Sequence, residues 1–233
     1  MSLEQLQAEL RAQANPDKVD VYKRFFKTGP GEYGEGDLFL GVNVPAQRRL
    51  AGKYRDLNWL DTIRLLKSPY HEERLTALLI MIHQFERGDV LTRGRVYRFY
   101  LNNTRYINNW DLVDTSAHKI CGPYLMDKDR TFLDNLARSR DLWKRRISII
   151  TTYYFIKHDQ FDDTLRIAKI LLHDKHDLIH KATGWMLREV GNRNQSVEEE
   201  FLDTHAAEMP RTMLRYAVEK FPPGLRKKYM TMK

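Results

Sequence analysis

Residues 70–85 read YHEERLTALLIMIHQF, and the spacing of their apolar side chains decides the fold class. Leucine and isoleucine recur there at intervals of three and four residues, at positions 75, 78, 79 and 82. Because such intervals return to one face of an α-helix, the stretch predicts a helix that follows the polar residues 71–73. Pro45 indicates a second helix, since proline is favoured in the first helical turn.

The rest of the chain shows similar helical spacing. Helix-breaking residues are concentrated in one segment, since five of the twelve glycines fall between Gly29 and Gly41. Further helices are predicted near 3–14, 17–27, 59–67, 90–102, 107–121, 129–138, 142–157, 161–172, 177–191, 196–207 and 210–220. Pro222-Pro223-Gly224 is expected to end the last of them. No segment has the period-two alternation of a strand, so the sequence predicts an all-α protein.

The predicted helices repeat with a period of about 35 residues. Ser139 and Asp174, which precede two of them, are 35 residues apart. Arg146 and Lys181 inside those helices have the same separation, and Asp111 precedes Arg146 by 35 residues. Two helices in each unit of this length predict an α-solenoid, whose stacked second helices line a concave surface. A compact irregular helical bundle is the alternative.

Composition excludes several classes of protein. Hydrophobic residues make up 42% of the 233 residues and charged residues 30%, so the chain is neither disordered nor a membrane protein. The acidic residues in MSLEQLQAEL argue against a signal peptide. The single cysteine, Cys121, excludes a disulfide framework and is expected in the core. The sequence therefore indicates a soluble intracellular protein.

The net charge of +8 points to a polyanionic partner. It is spread evenly, because residues 1–110 carry 17 basic and 13 acidic residues and the remainder carries 22 and 18. With a pI of about 9.5, the chain is expected to present an extended basic face. Nucleic acid is the first candidate partner and an acidic membrane surface the second. Charge that serves solubility alone is the remaining interpretation.

A candidate site emerges when the repeat is combined with the tryptophans. Trp110 and Asp114 are one helical turn apart. Trp185 adjoins Gly184, which follows Asp114 by 70 residues, so a solenoid would bring these side chains to one groove with Arg146 on the helix between. Indole faces and a carboxylate favour a cation, while arginines hold phosphates. Core tryptophans and a surface salt bridge at Asp114 are the alternative interpretation.

At these residues the sequence resembles a known family. The strings NWDLVD (109–114), WKRR (143–146) and KATGWMLRE (181–189) resemble those of the DNA alkylation repair glycosylases, which are built from HEAT-like repeats. The resemblance extends upstream to FLGVNVP (39–45) and Arg48, and so covers most of the chain.

The resemblance implies a single HEAT-like-repeat glycosylase domain over residues 1–233, an α-solenoid with a concave basic groove. The implied activity is hydrolysis of the N-glycosidic bond of cationic alkylated purines, such as N3-methyladenine and N7-methylguanine, in duplex DNA during base excision repair. It implies a monofunctional hydrolase that acts as a monomer without metal or cofactor. The expected location is the nucleoid in the cytoplasm of a bacterial-type cell.

Matching the motifs assigns roles to individual residues. Asp114 becomes the catalytic carboxylate, and Trp110 and Trp185 flank the deoxyribose of the lesion. The implied DNA contacts are Arg146, Arg188, Arg48, Asn43, Lys144, Arg145, Lys181 and Tyr22. Two other functions stay open at this point: a non-catalytic HEAT-like module that binds branched or damaged DNA, and a protein-binding solenoid whose basic groove recognises an acidic peptide.

Two further motifs are weaker. GPGEYG (29–34) satisfies the dinucleotide-binding pattern G-x-G-x-x-G, yet it follows a helical pattern and precedes acidic residues that would repel phosphate. We interpret it as a loop. His173, His176 and His180 have spacings that could hold a metal ion, but polar residues are common at helix junctions, so no metal site is predicted.

Overall fold

The structure is a computed structural model that describes residues 1–232. That range contains fourteen α-helices, two short 3-10 helices and no strand. The α-helices are α1 (Leu3–Arg11), α2 (Pro16–Phe25), α3 (Val44–Lys53), α4 (Trp59–Leu66), α5 (His71–Arg87), α6 (Val90–Asn102), α7 (Trp110–Leu125), α8 (Phe132–Ala137), α9 (Leu142–Ile156), α10 (Asp162–Ile170), α11 (Asp177–Arg193), α12 (Gln195–His205), α13 (Arg211–Ala217) and α14 (Pro223–Met230). The all-α prediction is confirmed.

The helix boundaries depart from the sequence-based expectation mainly at two points. α7 begins at Trp110 rather than near residue 107, after a 3-10 turn at Thr104–Tyr106. The helix predicted near 210–220 ends before Pro222, as expected, but Pro223 then begins a further helix, α14, that was not predicted. Proline is compatible with that position, since the first helical N–H has no partner within the helix. The run of glycines after Phe25 is a loop of turns, as expected.

Helical pairs follow one another along the chain. α9 begins at Leu142 and α11 begins at Asp177, which is the 35-residue interval expected for this region. In the second half of the chain α8 packs against α9, α10 against α11, and α11 against α13. This succession of paired helices is consistent with a helical-repeat fold.

The chain divides into two compact units. The N-terminal unit comprises Met1–Ser116 and the C-terminal unit begins at Ala117, so the boundary falls within α7. The core of the N-terminal unit is α5, which packs against α3, α4 and α6 and buries every residue from His71 to Ile82. A single domain over residues 1–233 stays a prediction.

The core of the C-terminal unit is α11, which packs against α9 and α13. A Cβ atom on Gly184 would lie 2.3 Å from the carbonyl oxygen of Met213, so glycine is needed for the close approach of α11 and α13. Cys121 is buried, as predicted. Across the described residues, the longest and most apolar helices still fall short of what a membrane crossing needs.

Candidate active site

Trp110 and Asp114 occupy the first turns of α7. Asn109 is fully buried just before the helix, and its Oδ1 accepts a hydrogen bond of 2.8 Å from the backbone N–H of Trp110. Trp110 and Asp114 are both half-buried. The four-residue spacing places them on one face of α7. Trp110 is therefore not a core tryptophan.

An aromatic cluster fixes the indole of Trp110. The ring of Phe26 stacks on it with centroids 5.6 Å apart, and the ring of Phe25 meets it edge-on at 5.5 Å. Phe26 in turn contacts Tyr22, with centroids 6.2 Å apart. Stacked and edge-to-face rings hold each other in defined orientations. The cluster thereby connects two predicted site residues, Trp110 and Tyr22, that are far apart in sequence.

A buried ionic network lies next to this cluster. His71 is centred 4.6 Å from the ring of Phe26, its Nε2 is 2.8 Å from Asp111 Oδ2, and its Nδ1 is 3.2 Å from Asp37 Oδ2. Arg74 pairs with the other oxygen of Asp37 at 2.7 Å. Because Asp111 directly follows Trp110, the network anchors the start of α7 to the start of α5.

The charges in this network support each other. Burial alone would lower the pKa of His71, but the carboxylates of Asp111 and Asp37 outweigh that effect and raise it to about 9. Burial acts against the ionised form of Asp37 too, yet hydrogen bonding to His71 and the charge of Arg74 leave the pKa of Asp37 below its ordinary value. His71 is therefore an imidazolium at neutral pH and donates to both carboxylates.

The sequence reasoning missed this network. Four consecutive polar residues, His71 to Arg74, lie in the first turn of α5 and are all buried. The carboxylate of Glu72 accepts hydrogen bonds from the backbone N–H groups of Leu40, Gly41 and Val42. The available signal was the string HEER directly before the largely apolar stretch LTALLIMI, because such a polar run is costly to bury without partners.

Two other predicted residues lie at the start of α3 and are exposed. Asn43 is the N-cap of this helix, and its Oδ1 accepts from the backbone N–H of Ala46 at 3.0 Å. Arg48 lies one turn further along α3. Both side chains are accessible to a ligand in solution.

In the C-terminal unit, Trp185 and Arg188 meet at Glu189. The indole Nε1 of Trp185 donates to Glu189 Oε1 at 2.8 Å, and Arg188 Nη2 lies 3.7 Å from the same oxygen. Arg188 also pairs with Glu219, while the ring of Trp185 is tilted against Tyr153 at 5.8 Å. Trp185 is half-buried, so it too differs from a core tryptophan.

Arg146 has a structural contact. Its side chain is 5% exposed, and its Nη1 donates to the carbonyl oxygen of Leu178 in the first turn of α11. Arg146 therefore joins α9 to α11, a role that the sequence-based assignment as a phosphate contact did not anticipate.

The remaining predicted cations are more accessible. Arg145 Nε pairs with Asp174 at 2.6 Å, and Lys181 pairs with Asp177, one turn earlier in α11, at 2.6 Å. Lys144 is half-buried in the first turn of α9. Arg145 also lines an open surface pocket with Ser139, His173, Asp174, Lys175 and His176. Among the other lining residues, Lys175 adds a further cation to this surface.

The histidines near residue 176 have local structural contacts. His176 is the N-cap of α11, and its Nδ1 accepts from the backbone N–H of Leu178 at 3.1 Å. His180 Nε2 bonds to the carbonyl oxygen of Asp174. Within residues 1–232, no three histidine, cysteine or acidic side chains are grouped so that they could hold a metal ion.

Comparison with known families gives a clear result. The family model of the DNA alkylation repair enzymes matches residues 6–221. The chain belongs to the DNA alkylation repair enzyme family. As a member of that family it is a DNA alkylation repair enzyme, and membership implies that it binds DNA.

Solved structures agree on the fold of this family member. A predicted DNA alkylation repair enzyme from Enterococcus faecalis is similar with a TM-score of 0.68 and 15% sequence identity. The similarity covers 91% of this chain and 98% of that chain. At this identity the likeness concerns the fold alone. No curated protein matches the chain.

Proposed function

We propose that this member of the family is a DNA glycosylase that hydrolyses the N-glycosidic bond of cationic alkylated purines, of the N3-methyladenine and N7-methylguanine type, in duplex DNA. The observation that carries the proposal is the pair on α7: a half-buried carboxylate, Asp114, one turn beyond an indole that Phe26 holds in place. Family membership supports a function in alkylation repair. In this proposal Trp185 is the second tryptophan beside the sugar.

The chemistry of the lesion explains why one carboxylate and two tryptophans are sufficient for the reaction. Alkylation at N3 or N7 puts a formal positive charge on the purine, so the base leaves as a neutral molecule without prior protonation. As the C1′–N bond breaks, its electron pair goes to the base and positive charge develops on the sugar. A fixed negative charge beside C1′ stabilises that transition state more than it stabilises the neutral sugar of the ground state.

Asp114 can supply both electrostatic stabilisation and a base. A water molecule forms the new C1′–O bond, and the proton that it loses passes to the carboxylate of Asp114 and then to solvent. The products are the free base and an abasic site, so atoms and charges balance with no metal or redox cofactor. Trp110 offers an apolar face to the deoxyribose, which excludes water from the side of the sugar that it covers.

DNA binding in this proposal relies on the basic side chains of both units. Arg48 and Asn43 of the N-terminal unit are exposed. In the C-terminal unit Arg188 has a carboxylate partner, Glu219, that is itself about half exposed, so a DNA phosphate can replace it. The enzyme would act as a monomer, and the concave basic groove expected of stacked repeats stays part of this proposal.

Base release from methylated DNA tests the proposal. Purified protein is incubated with duplex DNA treated with a methylating agent, and the released bases are separated by chromatography. We expect N3-methyladenine and N7-methylguanine in the supernatant and an intact sugar–phosphate backbone. DNA binding without base release would instead support a non-catalytic DNA-binding module and would overturn the glycosylase assignment.

A further inference from the structure

The positive charge of the second half of the chain is concentrated in residues 211–233. This stretch contains seven Lys and Arg and one acidic residue, a net charge of +6 against +8 for the whole chain. The preceding stretch, 111–210, contains 15 basic and 17 acidic residues. The equal charge of the two halves of the chain therefore conceals a strongly basic C-terminal segment. Positive charge gathered on one element attracts a polyanion, whereas charge that serves solubility needs no such concentration.

The basic segment folds into two helices at the end of the C-terminal unit. We call α13, the 3-10 turn Val218–Lys220 and α14 the C-terminal helix pair. The family match ends at residue 221, so α14 lies beyond it. Membership of the family therefore assigns no function to α14.

Polar contacts hold α14 in a defined position. Tyr229 is fully buried, and its hydroxyl group donates to Asp203 Oδ1 at 2.9 Å. Lys228 Nζ donates to the same oxygen at 2.9 Å. Arg211, the first residue of α13, donates from Nη2 to the carbonyl oxygen of Met230 at 2.7 Å. Because these contacts fix the helix before any ligand arrives, binding does not have to order it.

Four cations of the helix pair are available to a ligand. All are exposed, and none has a carboxylate partner within residues 1–232; they are Arg215, Lys220, Arg226 and Lys227. The one acidic residue of the pair, Glu219, forms an ion pair with Arg188. The unpaired charge is therefore not cancelled locally.

The dimensions of the helix pair suit a phosphate backbone. Arg215 follows Arg211 by one turn of α13, so it projects from the side of α13 on which Arg211 reaches α14. At 1.5 Å per residue each helix is only about 10–12 Å long. Duplex DNA carries about one phosphate charge per 1.7 Å of its axis, so several phosphates lie within that length. A single stretch of backbone can therefore contact cations from both helices.

The apolar side chains of the pair argue against a membrane surface as the partner. Leu225 and Met230 of α14 pack against the same hydrophobic core as Tyr229. Within residues 211–232 no large apolar side chain is exposed. A helix that binds a membrane surface needs an exposed apolar face, and α14 uses its apolar side chains to pack on the protein. The charge without that face favours a nucleic-acid backbone.

We propose that the C-terminal helix pair binds the phosphate backbone of DNA through Arg215, Lys220, Arg226 and Lys227, whether or not the DNA is damaged. The inference rests on DNA binding, which family membership implies, and is independent of the glycosylase assignment. Phosphate contacts add affinity without reading the base, so the helix pair keeps the protein on undamaged duplex.

Fluorescence anisotropy of the full chain with undamaged duplex DNA over a salt series tests the site. The double variant Arg226→Gln, Lys227→Gln should bind about 10–100-fold more weakly at about 0.1 M salt. The slope of log affinity against log salt should fall by about 1.8, because two phosphate contacts are lost. Arg215→Gln alone should reduce the slope by about 0.9. Duplex that contains N7-methylguanine should lose affinity by the same factors.

A charge-matched control separates a local site from the overall charge. The double variant Lys128→Gln, Lys169→Gln removes two exposed cations elsewhere in the C-terminal unit, and it should keep the salt slope of the wild type. Circular dichroism establishes that each variant is folded. Binding to vesicles of phosphatidylglycerol is measured in parallel, and the α14 variant should lose affinity for DNA whether or not it loses affinity for the vesicles.

Three results would overturn the proposal: a wild-type salt slope for the α14 double variant, equal losses for the two double variants, or weaker vesicle binding with unchanged DNA binding. The last would assign the helix pair to an anionic membrane. Single-turnover excision at saturating protein keeps the test separate from the glycosylase assignment, since the α14 variant should react at the wild-type rate. If the wild type releases no base and the α14 variant still loses DNA affinity, the binding site is retained and the glycosylase assignment is lost.

Discussion

His71 Nε2 lies 2.8 Å from Asp111 Oδ2, and this contact joins the first turn of α5 to the first turn of α7. Asp111 directly follows Trp110 and precedes Asp114 by three residues, which is less than one helical turn. The position of the candidate carboxylate therefore depends on an ion pair that is itself buried. Stability of the N-terminal unit and geometry of the proposed site are linked through His71.

The first prediction is that stability falls as pH rises from about 6.5 to 9. The pKa of His71 is about 9 in the folded chain and about 6.5 when unfolded, so the folded state binds more protons in that interval. The stabilisation is complete below pH 6.5 and is lost as pH passes through 9. Tm should drop by up to about 10 °C across the interval. His71→Gln should flatten the curve of Tm against pH. His158→Gln, which changes an exposed histidine, should leave that curve as it is in the wild type.

A second buried group contributes with the same sign. Glu198 of the C-terminal unit is 1% exposed; burial and the charge of Glu199 raise its pKa to about 9, while Arg188 acts in the opposite direction. The double variant His71→Gln, Glu198→Gln should therefore have a flatter profile than either single variant. The groups that face His71 are Asp37, Asp111 and Arg74. If His71→Gln keeps the full slope of the wild type, the imidazolium assignment is wrong.

The fold class could be predicted from the sequence because helical periodicity depends on the local spacing of apolar residues. Leu75, Leu78 and Ile82 are all buried on α5, and the 35-residue interval between α9 and α11 follows from repeated helix starts. The ends of the helices were harder to predict from the sequence. Pro223 can both stop one helix and start the next, and only the packing of α14 against α13 decides between them.

The candidate site could be predicted only in part from the sequence, for a different reason. Trp110 and Asp114 are neighbours on one helix, so their relationship can be calculated from the sequence. The pairing of His71 with Asp37 and Asp111 joins positions 34 and 40 residues apart, and no periodicity predicts such contacts. The burial of Arg146 was missed because a cation in a basic run looks the same whether it faces solvent or a backbone carbonyl.

The second prediction concerns Asp114. Asp114→Asn keeps the shape of the side chain but removes its charge, so excision should slow by about 10²–10³ while DNA binding stays nearly unchanged. Single-turnover kinetics on DNA that contains N7-methylguanine provide the measurement. Asp127→Asn, at an exposed position just after α7, is the matched control and should have wild-type rates. A rate for Asp114→Asn within about threefold of wild type at matched occupancy would contradict the catalytic role.

The third prediction separates structure from binding at Arg146. Its guanidinium is buried and donates to the carbonyl oxygen of Leu178, so Arg146→Gln should destabilise the C-terminal unit by about 1–3 kcal/mol. Chemical denaturation of the variant measures that loss. Arg48→Gln changes an exposed arginine and should leave stability within about 0.5 kcal/mol of wild type. Equal stability of the two variants would show that the contact with Leu178 contributes nothing.

The last prediction concerns the salt dependence of DNA binding. If Arg48 and Arg188 contact phosphates, replacing either by Gln should weaken binding to damaged and undamaged duplex alike and reduce the slope of log affinity against log salt by about 0.9. Trp185→Ala should slow excision without changing the slope, because an indole beside a sugar releases no counterion. Arg193→Gln is the control: Arg193 lies on the same helix as Arg188 and is paired with Asp159.

The ion pair between Arg188 and Glu219 provides a further test of this prediction. Glu219 holds the guanidinium in the free protein, so Glu219→Gln should release it and strengthen DNA binding, while the same change at Arg188 weakens it. Fluorescence anisotropy titrations over a salt series measure both effects. Wild-type slopes for the Arg48 and Arg188 variants would place these arginines outside the path of the DNA. The proposed basic groove would then have to be abandoned, even if Asp114→Asn had already established the chemistry.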